Sequence, residues 1–316
     1  MFEGLDYVYA VYKAQSFSKA AASLYISQPS LSIMVKKEEE RFGFPIFDRS
    51  SVPIRLTEMG KEYIQTAERL MEIKTGFEHY VNELNELVTG NLYIGSTNLF
   101  VSYALPPLLS EFSNLYPKVR VQLMEASSGE LIDHLFSGDL DLVLDNKQMD
   151  ADTYVSQKLY SEHLLLAVPR SIEITPEMDK ISYTARDICK GAHLAEDRER
   201  VQLKYFQNAP FLFQKPGNDT RERESMVCRK QHFEPKIRFE LDQQSTAYNL
   251  SCAGLGISFV GDYLVKWDPR KELRFFTLDD PHTIRDIQFF YKKSRYLSRA
   301  AREFLSLAER LYPSER

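Results

Sequence analysis

Between Thr57 and Thr89 the chain contains no proline, and Tyr63, Ala67, Leu70, Phe77, Val81, Leu84 and Val88 recur at intervals of three and four, with one gap at Lys74. This heptad seam predicts a long helix over residues 58–89 that pairs with a second copy of itself through Tyr63, Ala67, Leu70, Phe77, Val81 and Leu84. Thr57 suits its N-cap. A helix of about 30 residues is a rod of about 45 Å, the dimension of a spacer between domains. At 316 residues the chain is too long for one ordinary core, so two or three domains are expected around that rod. An amphipathic helix packed on its own chain is the plainer alternative.

Ahead of the rod, Leu5, Val8, Tyr9, Val11 and Tyr12 recur at helical spacing, and Ser16 to Ser18 supply a break and a cap. A second helix carries the small residues Ala20, Ala21 and Ala22 and stops near Tyr25 and Ile26. Ser27 can cap a third helix with Gln28 and Pro29 in its first turn, where proline's missing N–H costs nothing. Two short helices joined by a tight turn make a helix-turn-helix, whose second helix enters the major groove by its N-terminal turn. Ser27, Gln28, Pro29 and Ser32 then lie at the bases, with glutamine suited to adenine and proline to a thymine methyl, and Lys36 and Lys37 serve phosphates. Phe44 to Phe47 and Pro53 to Leu56 bracket a polar turn and read as a β-hairpin wing, with Arg49 and Arg55 at the DNA backbone. The net charge of −5 requires any such contact to be local. A three-helix bundle that mediates protein contacts remains the alternative for this segment.

The stretches "SFSKAAASLYISQPSLS", "FGFPIFDRS" and "LTEMG" resemble the N-terminal signature of the LysR-type transcriptional regulators, over Phe2 to Gly60 without gaps. The resemblance implies a winged helix-turn-helix over residues 1–57, a linker and dimerisation helix over 58–89, and a sensing domain over 90–316. It also implies a homodimer or homotetramer on double-stranded DNA, with RNA polymerase as a candidate further partner. Two departures stand out. Ile33 and Met34 occupy positions where the family usually has a basic and a polar residue, and Glu38 stands where it has an apolar one. The spacing of Glu38 from Leu31 and Val35 turns it toward the core, where a carboxylate needs partners.

After Gly90 short apolar runs alternate with helical patterns: Leu92 to Gly95, Val101 to Leu115, Val119 to Glu125, Ser128 to Ser137 and Leu140 to Leu144. This is the signature of a parallel α/β sheet. Strands follow at Leu164 to Val168, Phe211 to Phe213, Lys236 to Leu241, Gly256 to Val260 and Ile287 to Tyr291, and a helix from Ser298 to Leu311 closes the domain. The pattern is similar to the family's sensing domain, two α/β lobes like those of periplasmic solute-binding proteins, although Ser182 to Phe206 is longer and more charged than usual. The similarity implies one lobe at about 90–163 and 266–316 and the other at about 164–265, with crossovers near Ser161 to Leu166 and near Tyr263 to Trp267. Ligands in such sheets sit beyond the carboxyl ends of strands, at helix N-termini. Ser96, Thr97, Ser127, Ser128, Gln214, Lys215, Gln243, Gln244 and Ser245 follow strands in this way and suit a small polar or anionic effector, although each also reads as a cap or turn residue.

Other chemistries find less support. Cys189 with His193, and Cys228 with His232, have the i, i+4 spacing that shares a helix face, but not the spacings of common structural zinc sites. No Walker loop, G-x-G-x-x-G or H-E-x-x-H is present, and no nucleophile stands at recognisable spacing from a base, so neither enzyme nor cofactor is expected. Three cysteines, no basic leader with an apolar run, and no apolar stretch of membrane-spanning length read as a cytoplasmic protein.

Overall fold

The computed structural model describes residues 2–51, 53–83, 90–195, 197 and 199–312; Leu84 lies outside them, and of Val81 only the backbone is described. The chain divides into two compact units, Met1–Leu84 and Asn85–Arg316.

In the first unit α1 (Leu5–Ala14), α2 (Phe17–Ser23) and α3 (Gln28–Phe42) are followed by the two-stranded wing β1 (Phe47–Asp48) and β2 (Arg55–Leu56), then by α4 (Glu58–Glu83). Local chemistry sets the boundaries. The Ser16 hydroxyl accepts from the Lys19 N–H and the Ser27 hydroxyl from the Ser30 N–H, each capping its helix. Gly43 ends α3 at φ 78°, a left-handed position that favours glycine. Thr57 caps α4, its hydroxyl accepting the Gly60 N–H at 2.9 Å.

The core of this unit joins Val8, Val11, Leu31, Val35, Ile46 and Phe47 to Tyr63, Ile64 and Ala67 of α4. Here the structure corrects the expected dimer seam. Tyr63 and Ala67 are buried within their own domain, at 3% and 0% exposure, because the wing and α3 leave an apolar trough that the first turns of α4 fill. Farther along the helix Leu70, Ile73 and Phe77 are exposed, so the outward apolar row runs through Ile73, which the heptad reading passed over in favour of the gap at Lys74.

Two glutamates tie the unit together. Glu38, 2% exposed, accepts the Gly4 N–H at 3.1 Å and the Tyr63 hydroxyl at 3.0 Å, with the Arg41 guanidinium at 3.4 Å. It joins the start of α1 to α3 and α4, which answers the requirement for partners. Burial first, and then the Glu38 carboxylate, push the Tyr63 hydroxyl well above its ordinary value. Glu39 accepts the Ile46 and Phe47 N–H groups and pairs with Arg49, pinning the wing to α3.

The second unit carries a nine-stranded mixed sheet in the order β4-β3-β5-β11-β6-β9-β7-β8, with β10 paired to β6. Its first lobe has β3 (Gly90–Ser96), α5 (Asn98–Tyr103), α6 (Leu105–Leu115), β4 (Val119–Glu125), α7 (Ser128–Ser137) and β5 (Leu142–Asp145), with β4, β3 and β5 parallel. The long β6 (Tyr154–Pro169) then pairs with β11 over its first part and with β9 and β10 over its last, and so crosses into the second lobe. That lobe has α8 (Pro176–Lys180), α9 (Ala185–Cys189), β7 (Pro210–Gln214), α10 (Asp219–Lys230), β8 (Lys236–Leu241), α11 (Gln244–Cys252), β9 (Ile257–Gly261), α12 (Asp262–Trp267) and β10 (Leu273–Phe276). The chain returns through β11 (Ile284–Lys292), and α13 (Arg299–Leu311) packs on the first lobe's core.

The first crossing falls within Ser161 to Leu166, as the pattern implied. The second does not fall at Tyr263 to Trp267: those residues form α12, with Leu264 and Val265 buried one turn from its start, and β10 still pairs with the second lobe's part of β6. The return crossing is at residues 277–284, so the second lobe extends past residue 265. A short apolar run with an aromatic at each end reads equally as strand or helix, and here tertiary packing chose the helix. None of the described helices is long and apolar enough to cross a membrane.

Candidate DNA-reading face and effector cleft

Leu31, Val35 and Glu38 are the buried side of α3, while Gln28, Pro29, Ile33, Lys36 and Lys37 are exposed and Ser32 is half-buried. Ser27 is exposed but serves as the cap, and its hydroxyl also lies 2.7 Å from that of Ser30. Lys36 has only a loose pairing with Glu40, at 3.5 Å. Arg55 is exposed on the wing. Arg49 is differently placed: Glu39 holds it at 2.9 Å and it lies over the Phe17 ring, so it braces the wing as well as bordering this face. Glu39 itself was missed from sequence because a glutamate in a run of three reads as solvated surface.

Between the two lobes of the second unit lies a cleft of about 680 Å³, within the range of small-molecule sites. Of the expected residues, Thr97, Ser127, Ser128, Lys215, Gln243 and Gln244 line it. Ser96, Gln214 and Ser245 do not. Ser96 is buried and donates its hydroxyl to the Leu144 carbonyl at 2.6 Å, because side chains alternate along a strand and the last residue of β3 points into the sheet's packing. Gln214 is buried beneath the cleft, where its backbone N–H reaches Glu224 and its carbonyl accepts from Arg221. Ser245 is half-buried one step past the helix start, where Gln244 takes the inward position instead. Ser127 is held by a capping box with Glu130, so its hydroxyl already has partners.

The cleft floor shows what spacing could not. Arg285 of β11 stands in register with Glu162 of β6, and its guanidinium reaches the Glu162 carboxylate at 2.6 Å, Asp219 at 3.0 Å and the Thr220 hydroxyl at 2.9 Å, with both Arg285 and Glu162 buried. Asp219, at the start of α10, also accepts from Arg223 and from the Asn146 amide of the first lobe at 2.6 Å. One carboxylate thus joins a crossing strand, the second lobe and the first. Gly261 closes the same floor, because a Cβ there would collide with the Glu162 carboxylate.

Below the cleft, burial pushes the Glu224 carboxyl up to about 8, against the opposing N–H of Gln214. This folded-state value lies above the unfolded one of about 4.3. The folded chain therefore retains a proton that the unfolded chain has lost, and the stability from this group is full below about pH 4 and is lost as pH rises through about 8. We expect Glu224→Gln to flatten the decline in thermal midpoint between about pH 5 and about pH 8, measured by differential scanning fluorimetry against wild type. Parallel pH profiles would show that the carboxyl does not titrate there.

The two cysteine–histidine pairs do not form one site. Cys189 ends α9, Gly191 breaks the chain, and His193 lies in a separate short 3-10 turn; Cys228 is buried in the second lobe's core. His193 instead meets Asp262 at 3.0 Å, and the ligand-type atoms of His163, His193 and Asp262 lie within 4.8 Å of one another. Lys266 sits 2.8 Å from Asp262. Burial raises the Asp262 carboxyl, but His193, Lys266 and the His163 N–H outweigh it and hold the group at about 2.

Residues 2–61 match the family model of the bacterial regulatory helix-turn-helix protein, lysR family, and residues 85–312 match that of the LysR substrate binding domain. The chain belongs to the LysR family. It is a DNA-binding transcriptional regulator with an effector-binding domain. LysR relatives include the Bacillus subtilis HTH-type transcriptional regulator YcgK, 29% identical over 309 residues that cover 96% of this chain and 92% of that one. The DNA-binding transcriptional dual regulator OxyR of Escherichia coli is 23% identical over 298 residues, covering 92% and 91%. In fold, the chain is similar to full-length OxyR from Pseudomonas aeruginosa, with a TM-score of 0.69, 21% identity and coverage of 98% and 94%. It is also similar to the LysR family regulator CbnR, with a TM-score of 0.59, 19% identity and coverage of 99% of each chain.

Proposed function

We propose that this LysR-family regulator acts in the cytoplasm as a homodimer or a tetramer built from dimers, placing two copies of α3 on two half-sites of duplex DNA. In this reading residues 1–57 read DNA, 58–89 couple the copies and 90–316 respond to a small polar effector in the cleft. The observation that carries it is the division of α3 into a core-facing side and an exposed side bearing Gln28, Pro29, Lys36 and Lys37 beside the wing's Arg55. A full-length CbnR structure holds its target DNA, which supports the same use of the matching unit here. The exposed row Leu70, Ile73 and Phe77 supplies the apolar surface for a second copy. RNA polymerase is the proposed further partner.

The charges of the cleft refine the effector. Asp242 is paired with Lys215 and Asp219 with Arg285, which leaves Lys147, Glu125 and Glu222 as the lining charges outside those ion pairs. The Gln243 end of α11 carries no side-chain cap, so it has N–H groups to offer a carboxylate. An effector bearing both an anionic and a cationic group satisfies this lining better than a simple anion. Its binding would shift the lobes or subunits by its differential affinity for two states.

The DNA-reading assignment is tested by fluorescence anisotropy on the promoter of the protein's own gene. Gln28→Ala should weaken specific binding by about five- to one-hundredfold, the range for losing one bidentate base contact, with non-specific binding retained. Undiminished specific binding by both Gln28→Ala and Ser32→Ala would remove α3 as the reader.

A further inference from the structure

On α3, Ile33 lies opposite the mean direction of Leu31, Val35 and Glu38, which makes it the centre of the outward face; it is 65% exposed, and Met34 beside it is 41% exposed. Pro29 stands one turn before Ile33 and Lys37 one turn after, both exposed. The middle of the helix assigned to the groove therefore carries an apolar ridge, Pro29 and Ile33, flanked by Gln28 at one end and by Lys36 and Lys37 at the other.

We infer that Ile33, with Pro29 and Met34 at its sides, reads the C5-methyl groups of thymines, and that this regulator's operators are defined in part by thymine at the base pairs facing Ile33. The inference rests on α3 being the groove-entering helix. An isoleucine or methionine side chain makes no conventional hydrogen bond to a base edge, so it gains free energy in the major groove only against an apolar group. The thymine methyl is the one such group that the four bases present there. Against guanine or cytosine the same side chains would cover polar edge atoms without pairing them, which disfavours those bases. Charge argues for DNA over a second protein chain at this face: the ridge ends in Lys36 and Lys37 and the wing adds Arg55, whereas the row free to take a partner copy, Leu70, Ile73 and Phe77, is on a different helix.

The test begins with duplexes selected from a random library by the full-length protein. Each thymine in the selected half-site is then replaced in turn by deoxyuridine, which removes only the methyl, and binding is measured by anisotropy. Wild type should lose about fourfold in affinity at one or two positions, the magnitude expected for one buried methyl-sized group. Ile33→Ala should bind thymine and deoxyuridine duplexes alike at those positions, with its thermal midpoint unchanged because the side chain is exposed. Ile33→Arg, passed through the same selection, should replace thymine there by guanine. Indifference of the wild type to deoxyuridine, or equal deoxyuridine sensitivity in wild type and Ile33→Ala, overturns the inference while leaving α3 as the reader. Failure of selection to enrich any sequence would overturn both.

Discussion

Replacing Arg285 with leucine should destabilise the effector-binding unit by about 3–5 kcal/mol, the usual cost of removing one partner from a buried ion pair. The loss falls on Glu162, which is 0% exposed and takes both of its close charge-assisted contacts from Arg285. For a unit of this size the thermal midpoint should fall by roughly 10 °C, measured by differential scanning calorimetry. Arg285→Leu combined with Glu162→Leu should recover most of that loss, because no uncompensated charge then remains buried. A single variant as stable as wild type would show that water enters the floor and solvates Glu162. The same arginine also holds Asp219, which reaches the first lobe through Asn146. The double variant should therefore regain stability without regaining the fixed relation between the lobes. In a regulator driven by lobe movement it should respond to effector with an altered midpoint even where its melting is normal.

The second large effect is expected in the DNA-binding unit. Glu38→Leu leaves the Gly4 N–H and the Tyr63 hydroxyl without the carboxylate that pairs them, and each orphaned buried group costs about 1–3 kcal/mol. A total of about 2–6 kcal/mol is large against the whole stability of a small domain. Adding Tyr63→Phe should restore about 1–2 kcal/mol, since the hydroxyl no longer needs a partner. The double-mutant cycle, followed by urea denaturation, thus reads the coupling between α3 and α4 directly. Additive losses would show that Glu38 and Tyr63 act independently. Specific DNA binding should weaken in step with stability, because Glu38 sits on the inward side of the helix whose outward side we propose as the base reader.

What could be read in advance depended on whether a residue's role was local. Ser16 and Ser27 as caps, Pro29 in the first turn and Thr57 at the start of the long helix are governed by neighbours within four residues, and each stands where its spacing placed it. The cleft was harder. Thr97, Ser127, Ser128, Lys215, Gln243 and Gln244 reached it, but Ser96, Gln214 and Ser245 turned away, since a strand alternates its side chains and the residue after a strand can face either side. The seam of α4 divided for a related reason: periodicity records that a face is apolar without recording what covers it, and for Tyr63 and Ala67 the cover was their own domain.

From sequence alone came the order of the parts: three short helices and a wing, a long helix, then alternating strands and helices closing on a terminal helix. Periodicity, capping and turn chemistry act over a few residues, and they suffice for that. Only the tertiary structure decided that Arg285, Glu162 and Asp219 share one buried network, that Glu38 is paired, and that the return crossing lies beyond α12. Those facts join residues as far apart in the chain as 123 positions, and no short-range preference encodes which distant side chain will supply the missing charge or hydrogen bond.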